Sequence, residues 1–279
     1  MFLALLCGML LAGQLGWQWP AAYWWAIVIA MGLVGIGVLD DNFDLPVIVR
    51  LGLYFLSCIS ALIPIFGPVA AWSPMLWLAT PAILVGLLWL LNLYNFMDGI
   101  DGLAATQCIL AASAAGLIAI GRGADPHYGF ACLLLVGSQA GFLLWNWGPA
   151  RLFMGDAGSV PSGFLLGFLA LLGASKGYLP ISCWLILLAA FVTDATTTLV
   201  YRALTGQRVT SAHRTHAYQR LSRAFASHQK VVLLLLGIHI FWLLPLAMAA
   251  SEFPGLGISL VILAYIPLLL GMAKAMRLG

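Results

Sequence analysis

The sequence has 279 residues, of which 63% are apolar and only 8% are charged. Soluble domains of this size carry about a quarter charged residues, so this chain has too few charges to cover a water-exposed surface. The composition therefore excludes soluble globular, disordered, collagen-like and disulfide-scaffold proteins, and it indicates an all-α integral membrane protein. The formal net charge of +3 is too small to indicate nucleic acid as a partner.

About ten apolar runs are long enough to cross a bilayer, which takes roughly 20 helical residues. In chain order they cover residues 1–18, 21–39, 48–66, 74–93, 103–120, 128–145, 158–173, 180–201, 231–250 and 255–274. No basic region precedes the first run, so we interpret it as a retained helix and not as a signal peptide. We expect a single polytopic transmembrane domain over residues 1–279.

The positions of the basic residues predict the orientation of these runs. Ten of the twelve lie on or beside one set of connections. These connections are 40–47, 94–102, 146–157, 202–230 and the C-terminal tail. Only Arg122 and Lys176 lie on the other side. Because basic residues concentrate in cytoplasmic loops, we expect the first side to be cytoplasmic.

Seven of the nine acidic residues lie at or near the same predicted cytoplasmic face. Carboxylates packed together at a membrane surface repel each other unless a cation neutralises them. Their hard oxygens suit Mg²⁺ or Mn²⁺, which keep bound waters and share their coordination with substrate phosphates. The acidic set therefore predicts a metal-dependent phosphate site, and a set of unrelated helix caps is the alternative.

The second run ends in the adjacent acids Asp40 and Asp41. Because neighbouring side chains after a helix point in different directions, one acid is placed to approach a metal and the other to act as a base.

The fourth run continues into the segment N-L-Y-N-F-M-D-G-I-D-G-L. In it Asn92, Asn95, Asp98 and Asp101 recur every three residues, a spacing that predicts one polar face of a helix. Glycines beside the two acids allow backbone to approach a ligand closely.

Two later segments complete the predicted site. Asp156, in F-M-G-D-A-G-S, precedes an apolar run, where it either caps the helix or binds a metal beside a helix N-terminus that attracts phosphate.

In the basic connection 202–230, His213 and His216 flank Arg214, which suits phosphate binding, with attraction to lipid headgroups as the alternative. Asp194 lies inside a span and is a functional candidate on that ground. Together these groups predict phosphoryl transfer at the membrane surface.

These motifs resemble those of the polyprenyl-phosphate N-acetylhexosamine-1-phosphate transferases (glycosyltransferase family 4). The resemblance extends from about residue 30 to residue 220. It comprises the aspartate pair with Arg50 downstream, N-L-Y-N-F-M-D-G-I-D-G-L-A, N-W-G-P-A-R-L-F-M-G-D-A-G-S, Asp194 and the basic histidine segment. The segment H-R-T-H-A-Y-Q-R-L resembles the branch that initiates O-antigen and related surface polysaccharides.

The resemblance implies an undecaprenyl phosphate acceptor, a UDP-N-acetyl-aminosugar donor, release of UMP and a bacterial inner membrane location. Asp40, Asp41, Asp98 and Asp156 would be catalytic, with Asp98 and Asp156 holding Mg²⁺ or Mn²⁺. Asp101 and Phe153 would hold the uracil, and the histidine segment would bind phosphate or the sugar. The implied substrate-binding residues are Arg50, Asn92, Asn95, Asp101, Asn146, Phe153, His213, Arg214 and His216. A homodimer is left open.

The resemblance also implies an additional span and a basic cytoplasmic loop upstream of residue 1, and we expect this chain to lack them. Arg50 stands where relatives often carry lysine, which keeps the charge and changes the donor geometry.

Two other functions compete with the transferase. Residues 40–44 read D-D-N-F-D, the D-D-x-x-D pattern of intramembrane prenyltransferases, but the second cluster here is rich in asparagine. A polytopic transporter would place its ionisable groups near mid-bilayer on repeated halves, whereas these groups crowd one face.

Overall fold

The computed structural model describes residues 1–207 and 215–276, and every regular element within these ranges is a helix. The helices are α1 (Phe2–Gln14), α2 (Ala21–Phe43), α3 (Val47–Phe66), α4 (Pro74–Phe96), α5 (Leu103–Gly121), α6 (Pro126–Asn146), α7 (Asp156–Ser175), α8 (Ile181–Leu187), α9 (Ala189–Leu204), α10 (Ala217–Phe225), α11 (His228–Ile238), α12 (Leu244–Glu252) and α13 (Gly257–Ala275).

The predicted all-α membrane fold is confirmed. In the described part of the chain, eight helical segments are long and apolar enough to cross a membrane. They follow the predicted runs closely, as run 21–39 corresponds to α2 and run 231–250 to His228–Glu252. In the latter, a π-helical turn over His239–Leu243 joins α11 to α12 within one span.

Two of the ten predicted spans differ from the structure. Run 1–18 forms only the 13-residue helix α1, which is about 20 Å long and shorter than the ~30 Å hydrocarbon layer. Run 180–201 is broken into α8 and α9, whose axes differ by 69°. The described residues therefore contain eight continuous spans, or nine if the bent pair is counted as one.

The break between α8 and α9 is stabilised from a neighbouring helix. Neither proline nor glycine lies at residues 187–189, so the local sequence does not force it. Instead the buried Gln107 of α5 donates from Nε2 to the carbonyl oxygen of Leu187 at 2.9 Å. A carbonyl released from its helix in an apolar interior needs such a partner.

The two central helices both begin at the predicted site. The most apolar stretch of α7 is 83% buried and that of α5 is 72% buried, whereas those of α4 and of the last span are each 17% buried. Helix α7 packs between α2 and α4, and α5 packs along α6. Because Asp156 is the first residue of α7 and Asp101 lies just before α5, the most firmly packed helices carry acids at their starts.

The opposite end of the bundle is held by aromatic contacts. The ring centroids of Trp17 and His127 lie 4.8 Å apart, and Trp19 stacks on Phe130 at 5.6 Å. Tyr23 closes this cluster against Trp19 at 5.4 Å. These contacts connect α1, α2 and α6 at the far end of the bundle, away from the acidic groups described next.

Candidate active site

Arg50 joins two acids that are distant in the sequence. Its Nη1 donates to the Asp40 carboxylate, and the same atom lies 3.2 Å from Oδ2 of Asp156. The ends of α2, α3 and α7 therefore meet at one cationic group. Burial of these opposite charges together offsets the repulsion between the two carboxylates.

The close approach of α2 to α7 depends on Gly37. A Cβ added there would lie 2.3 Å from the backbone nitrogen of Ala157, far inside van der Waals contact. The absent side chain lets the end of α2 reach the first turn of α7, which brings Asp40 and Asp41 beside Asp156.

The paired aspartates have different environments. Asp40 is only 8% exposed, and it also accepts a hydrogen bond from the backbone N–H of Leu45 at 2.9 Å. Asp41 is exposed, and its carboxylate faces Gly155, where an added Cβ would lie 3.2 Å from Oδ2. Asp40 is thus committed to internal contacts, while Asp41 presents its carboxylate at the surface of the site.

Asp98 and Asn95 approach Asp156 from the end of α4. The Asn95 side chain faces the Asp156 carboxylate, and the Asp98 carboxylate faces the backbone of Gly155. Burial, with a smaller contribution from the nearby Asp156 charge, raises the pKa of Asp98 to about 8. A carboxyl in this position ionises readily at neutral pH only when a further positive charge is supplied.

The predicted four-residue polar face on one helix is wrong. Helix α4 ends at Phe96, and Asp98 and Asp101 lie in the following turn, where Gly102 has a φ of 77° that favours glycine. Asn92 remains in α4, where its amide donates to the carbonyl of Leu88 at 2.7 Å. The turn, and not a helical repeat, directs Asp98 toward Asp156.

Asn146 was predicted to bind substrate, but in the structure it holds two loops together. It is 3% exposed; its Oδ1 accepts from the N–H of Gly102 at 2.9 Å, and its Nδ2 donates to the carbonyl of Leu152 at 2.8 Å. Both polar groups are used by backbone, so Asn146 positions the turn that carries Asp101.

A polar cavity of about 410 Å³ lies beside Asp101. The Asp101 carboxylate accepts from the N–H of Ala150 at 3.1 Å and pairs with Nδ1 of His228 at 3.3 Å. Gly148, Arg223 and Gln229 also line the cavity. The predicted stacking residue, Phe153, is 74% exposed and therefore has a free ring face for a ligand.

His216 was also predicted to bind substrate, whereas the structure buries it. The residue is 2% exposed, and its Nδ1 lies 3.2 Å from Oδ1 of Asp194. His213 and Arg214, the other two predicted residues of this segment, lie outside the described residues.

The oxygen ligands around Asp156 fit a hard divalent cation. Asp98 and Asp156 are neighbouring carboxylates, and burial raises the pKa of Asp98. Among the described residues no group of three His, Cys, Asp or Glu side chains forms a closed metal site. An open set of two carboxylates is typical of Mg²⁺ sites completed by water and phosphate oxygens.

Sequence reasoning missed three residues at this end. His228, Gln229 and Tyr218 reach the site from α10 and α11, and Gln229 donates to the carbonyl of Gly148 at 2.7 Å. In the sequence these residues stand out only because they belong to the basic connection 202–230. The excess of basic residues in cytoplasmic loops accounts for that connection equally well, so it did not identify them as site residues.

The structure is that of a polytopic membrane protein, an all-helical bundle with an acidic site at one end. The sequence matches the family described as glycosyl transferase family 4 over residues 23–174, and the chain belongs to this family. The resemblance to polyprenyl-phosphate N-acetylhexosamine-1-phosphate transferases is thereby confirmed.

Three curated relatives illustrate the range of the family. The chain is 28% identical over 212 residues to a probable undecaprenyl-phosphate N-acetylglucosaminyl 1-phosphate transferase of Bacillus subtilis, covering 73% of this chain and 59% of the relative. It is 29% identical to a decaprenyl-phosphate N-acetylglucosaminephosphotransferase of Mycolicibacterium smegmatis, covering 75% and 59%. It is 32% identical to a phospho-N-acetylmuramoyl-pentapeptide-transferase of Moorella thermoacetica, covering 56% and 54%. The chain thus spans between half and three fifths of the length of these relatives.

Proposed function

We propose that this protein transfers an N-acetyl-aminosugar-1-phosphate from a UDP-sugar to undecaprenyl phosphate and releases UMP. The product would begin O-antigen or another surface polysaccharide. The observation that supports this most strongly is the meeting of Asp40, Asp41, Asp98 and Asp156 at one end of the bundle, where Arg50 contacts Asp40 and Asp156. Such a set suits the charge neutralisation and positioning on which phosphoryl transfer depends.

In the proposed reaction an oxygen of the lipid phosphate attacks the phosphorus that bears the sugar. One P–O bond forms, the bond to the bridging oxygen breaks, and UMP leaves with that oxygen. Asp98 and Asp156 would hold Mg²⁺ or Mn²⁺, which supplies positive charge to the diphosphate when bound. Asp41, with its exposed carboxylate, accepts the proton of the acceptor phosphate when that group is protonated.

Arg50 has a supporting role in this proposal. Its guanidinium contacts both Asp40 and Asp156, and its side chain is 30% exposed, so part of the guanidinium is open to a ligand phosphate. The nucleoside end of the donor would enter the cavity beside Asp101. The exposed ring of Phe153, which is not part of the cavity lining, would contact the base from outside. The volume of that cavity, about 410 Å³, lies in the range of small-molecule sites.

We place the acidic end on the cytoplasmic side of a bacterial inner membrane. Ten of the twelve basic residues lie on or beside the connections at this end, and cytoplasmic connections carry that excess. A soluble nucleotide-sugar made in the cytoplasm reaches this side directly, and a lipid phosphate reaches it from the inner leaflet.

The test uses membranes that contain the protein, undecaprenyl phosphate and a panel of labelled donors. The panel holds UDP-GlcNAc, UDP-GalNAc and their 6-deoxy relatives. We expect a lipid-linked labelled product, equimolar UMP, and loss of both on chelation of divalent cations. Release of pyrophosphate would support the prenyltransferase alternative, and uptake into vesicles without lipid product would support the transporter.

Asp156→Asn provides the decisive variant, with Glu252→Gln as its matched control at the far end of α12. Loss of a carboxylate aimed at the reacting diphosphate is expected to lower kcat by about 100-fold or more. The control removes one acid of the same chain and should leave turnover unchanged. Full activity of Asp156→Asn would contradict the proposed site.

A further inference from the structure

Helix α10 rests on an acid that comes from another helix. The Asp194 carboxylate of α9 accepts hydrogen bonds from the N–H of Ala217 at 3.0 Å and of Tyr218 at 2.9 Å. Nδ1 of His216 lies 3.2 Å from the same group, and the Thr198 hydroxyl donates to it at 3.3 Å. Asp194 is 5% exposed, so all of these contacts are shielded from water.

These bonds satisfy the start of α10 in the way a capping residue does. The first N–H groups of a helix have no partner within it, and the helix dipole favours a negative charge at that end. The acid comes from α9 and not from the residue before the helix, so the contact fixes the position of α10 relative to the membrane bundle. Charge-assisted bonds of this kind are about twice as strong as neutral ones.

A second contact fixes the same helix against the acidic turn. The Tyr218 hydroxyl donates to the carbonyl of Phe96 at 2.9 Å. It also lies against Gly99, where an added Cβ would be only 2.0 Å from Oη. Residue 99 lies between Asp98 and Asp101, so the start of α10 touches the turn that carries both acids.

The other end of α10 forms one side of the cavity beside Asp101. Ser222 and Arg223, in its last turns, line the cavity together with Asp101 and His228. A shift of α10 at Asp194 would therefore move this side of the cavity. The acid proposed to accept the proton of the lipid phosphate, Asp41, belongs to α2, and its carboxylate faces Gly155.

We propose that Asp194 is a positioning residue that fixes α10 against the 97–102 turn and so shapes the donor side of the site. Asp194 acts through the backbone of α10 and does not touch substrate. This inference rests on the function proposed above, and it identifies which of the two substrates depends on Asp194.

The test compares the KM values for the two substrates. In Asp194→Ala the acceptor for two helix N–H groups is lost, and we expect the KM for the UDP-sugar to rise by about tenfold or more. The KM for undecaprenyl phosphate should change little. Asp194→Asn keeps one acceptor oxygen and is expected to give a smaller rise in the donor KM.

Tyr218→Phe provides a second variant that leaves the buried carboxylate in place. It removes the hydroxyl that donates to Phe96 and lies against Gly99, so it should raise the donor KM without loss of folded protein. Because both substitutions release the same helix, Tyr218→Phe combined with Asp194→Asn should raise the donor KM by less than the product of the single effects.

Asp125→Asn is the matched control. Asp125 also caps a helix, as it accepts from the N–H of His127 at 2.8 Å, but it does so at the far end of the bundle. Its substitution is expected to leave both KM values unchanged.

The outcomes separate the two proposals. An active wild-type protein whose Asp194→Asn and Tyr218→Phe variants keep the donor KM would overturn this inference alone. Equal rises in both KM values would also overturn it, because a general loss of structure affects both substrates. A wild-type protein that transfers none of the donors would overturn the proposed function and this inference with it.

Discussion

Arg50 contacts carboxylates from two different helices with a single nitrogen. That geometry makes it a link between the acid pair of α2 and the first residue of α7. When one member of a partly buried charge cluster is removed, the remaining like charges repel and lose their partner. The arginine therefore has more influence on the site than its position outside the acidic motifs indicates.

We predict that Arg50→Ala lowers kcat/KM for the transfer by at least about tenfold, which corresponds to about 1.4 kcal/mol of transition-state stabilisation. Arg50→Lys keeps the charge but not the planar fork, and it should retain an intermediate activity. The measurement is initial rate of lipid product against donor concentration.

Arg122→Lys serves as the comparison, since Arg122 donates to the carbonyl of Ser251 at the far end. It should behave as wild type. Normal kinetics of the Arg50→Ala protein would contradict a role for Arg50 in the site.

Asp41 differs from Asp40 because it is exposed and faces Gly155. We predict that Asp41→Asn lowers kcat about 100-fold through the loss of a proton acceptor, while the melting temperature stays within a few degrees of the wild-type value. Single-turnover rates of lipid product formation and thermal unfolding in detergent measure the two quantities.

Asp44→Asn provides the control three residues later. Asp44 is exposed at the end of α2 with a φ of 48°, a conformation that asparagine tolerates. Equal loss of rate in both variants would show that charge at this end, and not the Asp41 carboxylate itself, is what matters.

At the scale of helices, the contact between α2 and α7 decides whether the acids meet. Among the glycines of α2, Gly37 is the one at which an added Cβ would collide with another backbone, at Asp156 and Ala157 of α7. Backbone atoms at that distance cannot move aside as a flexible side chain can.

We predict that Gly37→Ala destabilises the protein by about 1–3 kcal/mol through overpacking and reduces transfer more than stability alone explains. Gly35→Ala, two residues earlier on the same helix, meets nothing within 4 Å and should be neutral. Thermal unfolding and transfer rates of the two variants make the comparison; an unaffected Gly37→Ala would show that α2 and α7 have room to separate.

Hydropathy was sufficient to locate most helices, because each span needs one long apolar run. It could not reveal the break at Leu188, since the run 180–201 is continuous and the partner of the broken carbonyl, Gln107, lies 80 residues away. The sequence also did not predict α10 or its contact with Asp194, because a nine-residue polar helix has no apolar run by which to recognise it. Charge patterns predicted which acids gather at one end, but not that Asn146 and His216 are used for internal support.

At the scale of the whole molecule, the two ends of the bundle differ in chemistry. One end gathers acids around Arg50 and the cavity at Asp101, and the other gathers the aromatic cluster around His127. Because the two ends differ, the orientation of the protein in the membrane can be determined by experiment.

We predict that a cysteine placed at the exposed Asn42 reacts with a membrane-impermeant thiol reagent only in inside-out inner-membrane vesicles, and one placed at Glu252 only in right-side-out vesicles. Cys7 is exposed and is replaced by serine in both proteins, while the other four cysteines are buried. Mass spectrometry of the labelled protein gives the readout. The reverse pattern would place the acidic end outside the cell.

The support of α10 has one more consequence. The connection between Leu204 and Ala217 starts from a membrane helix and ends on a helix fixed at Asp194, so both of its attachment points are set by the bundle. The last residue of the connection, His216, is held as well, because it is 2% exposed and its Nδ1 lies 3.2 Å from Oδ1 of Asp194. Under the proposed function, we expect that exchange of the residues between these two points among family members alters sugar preference while the membrane helices stay the same.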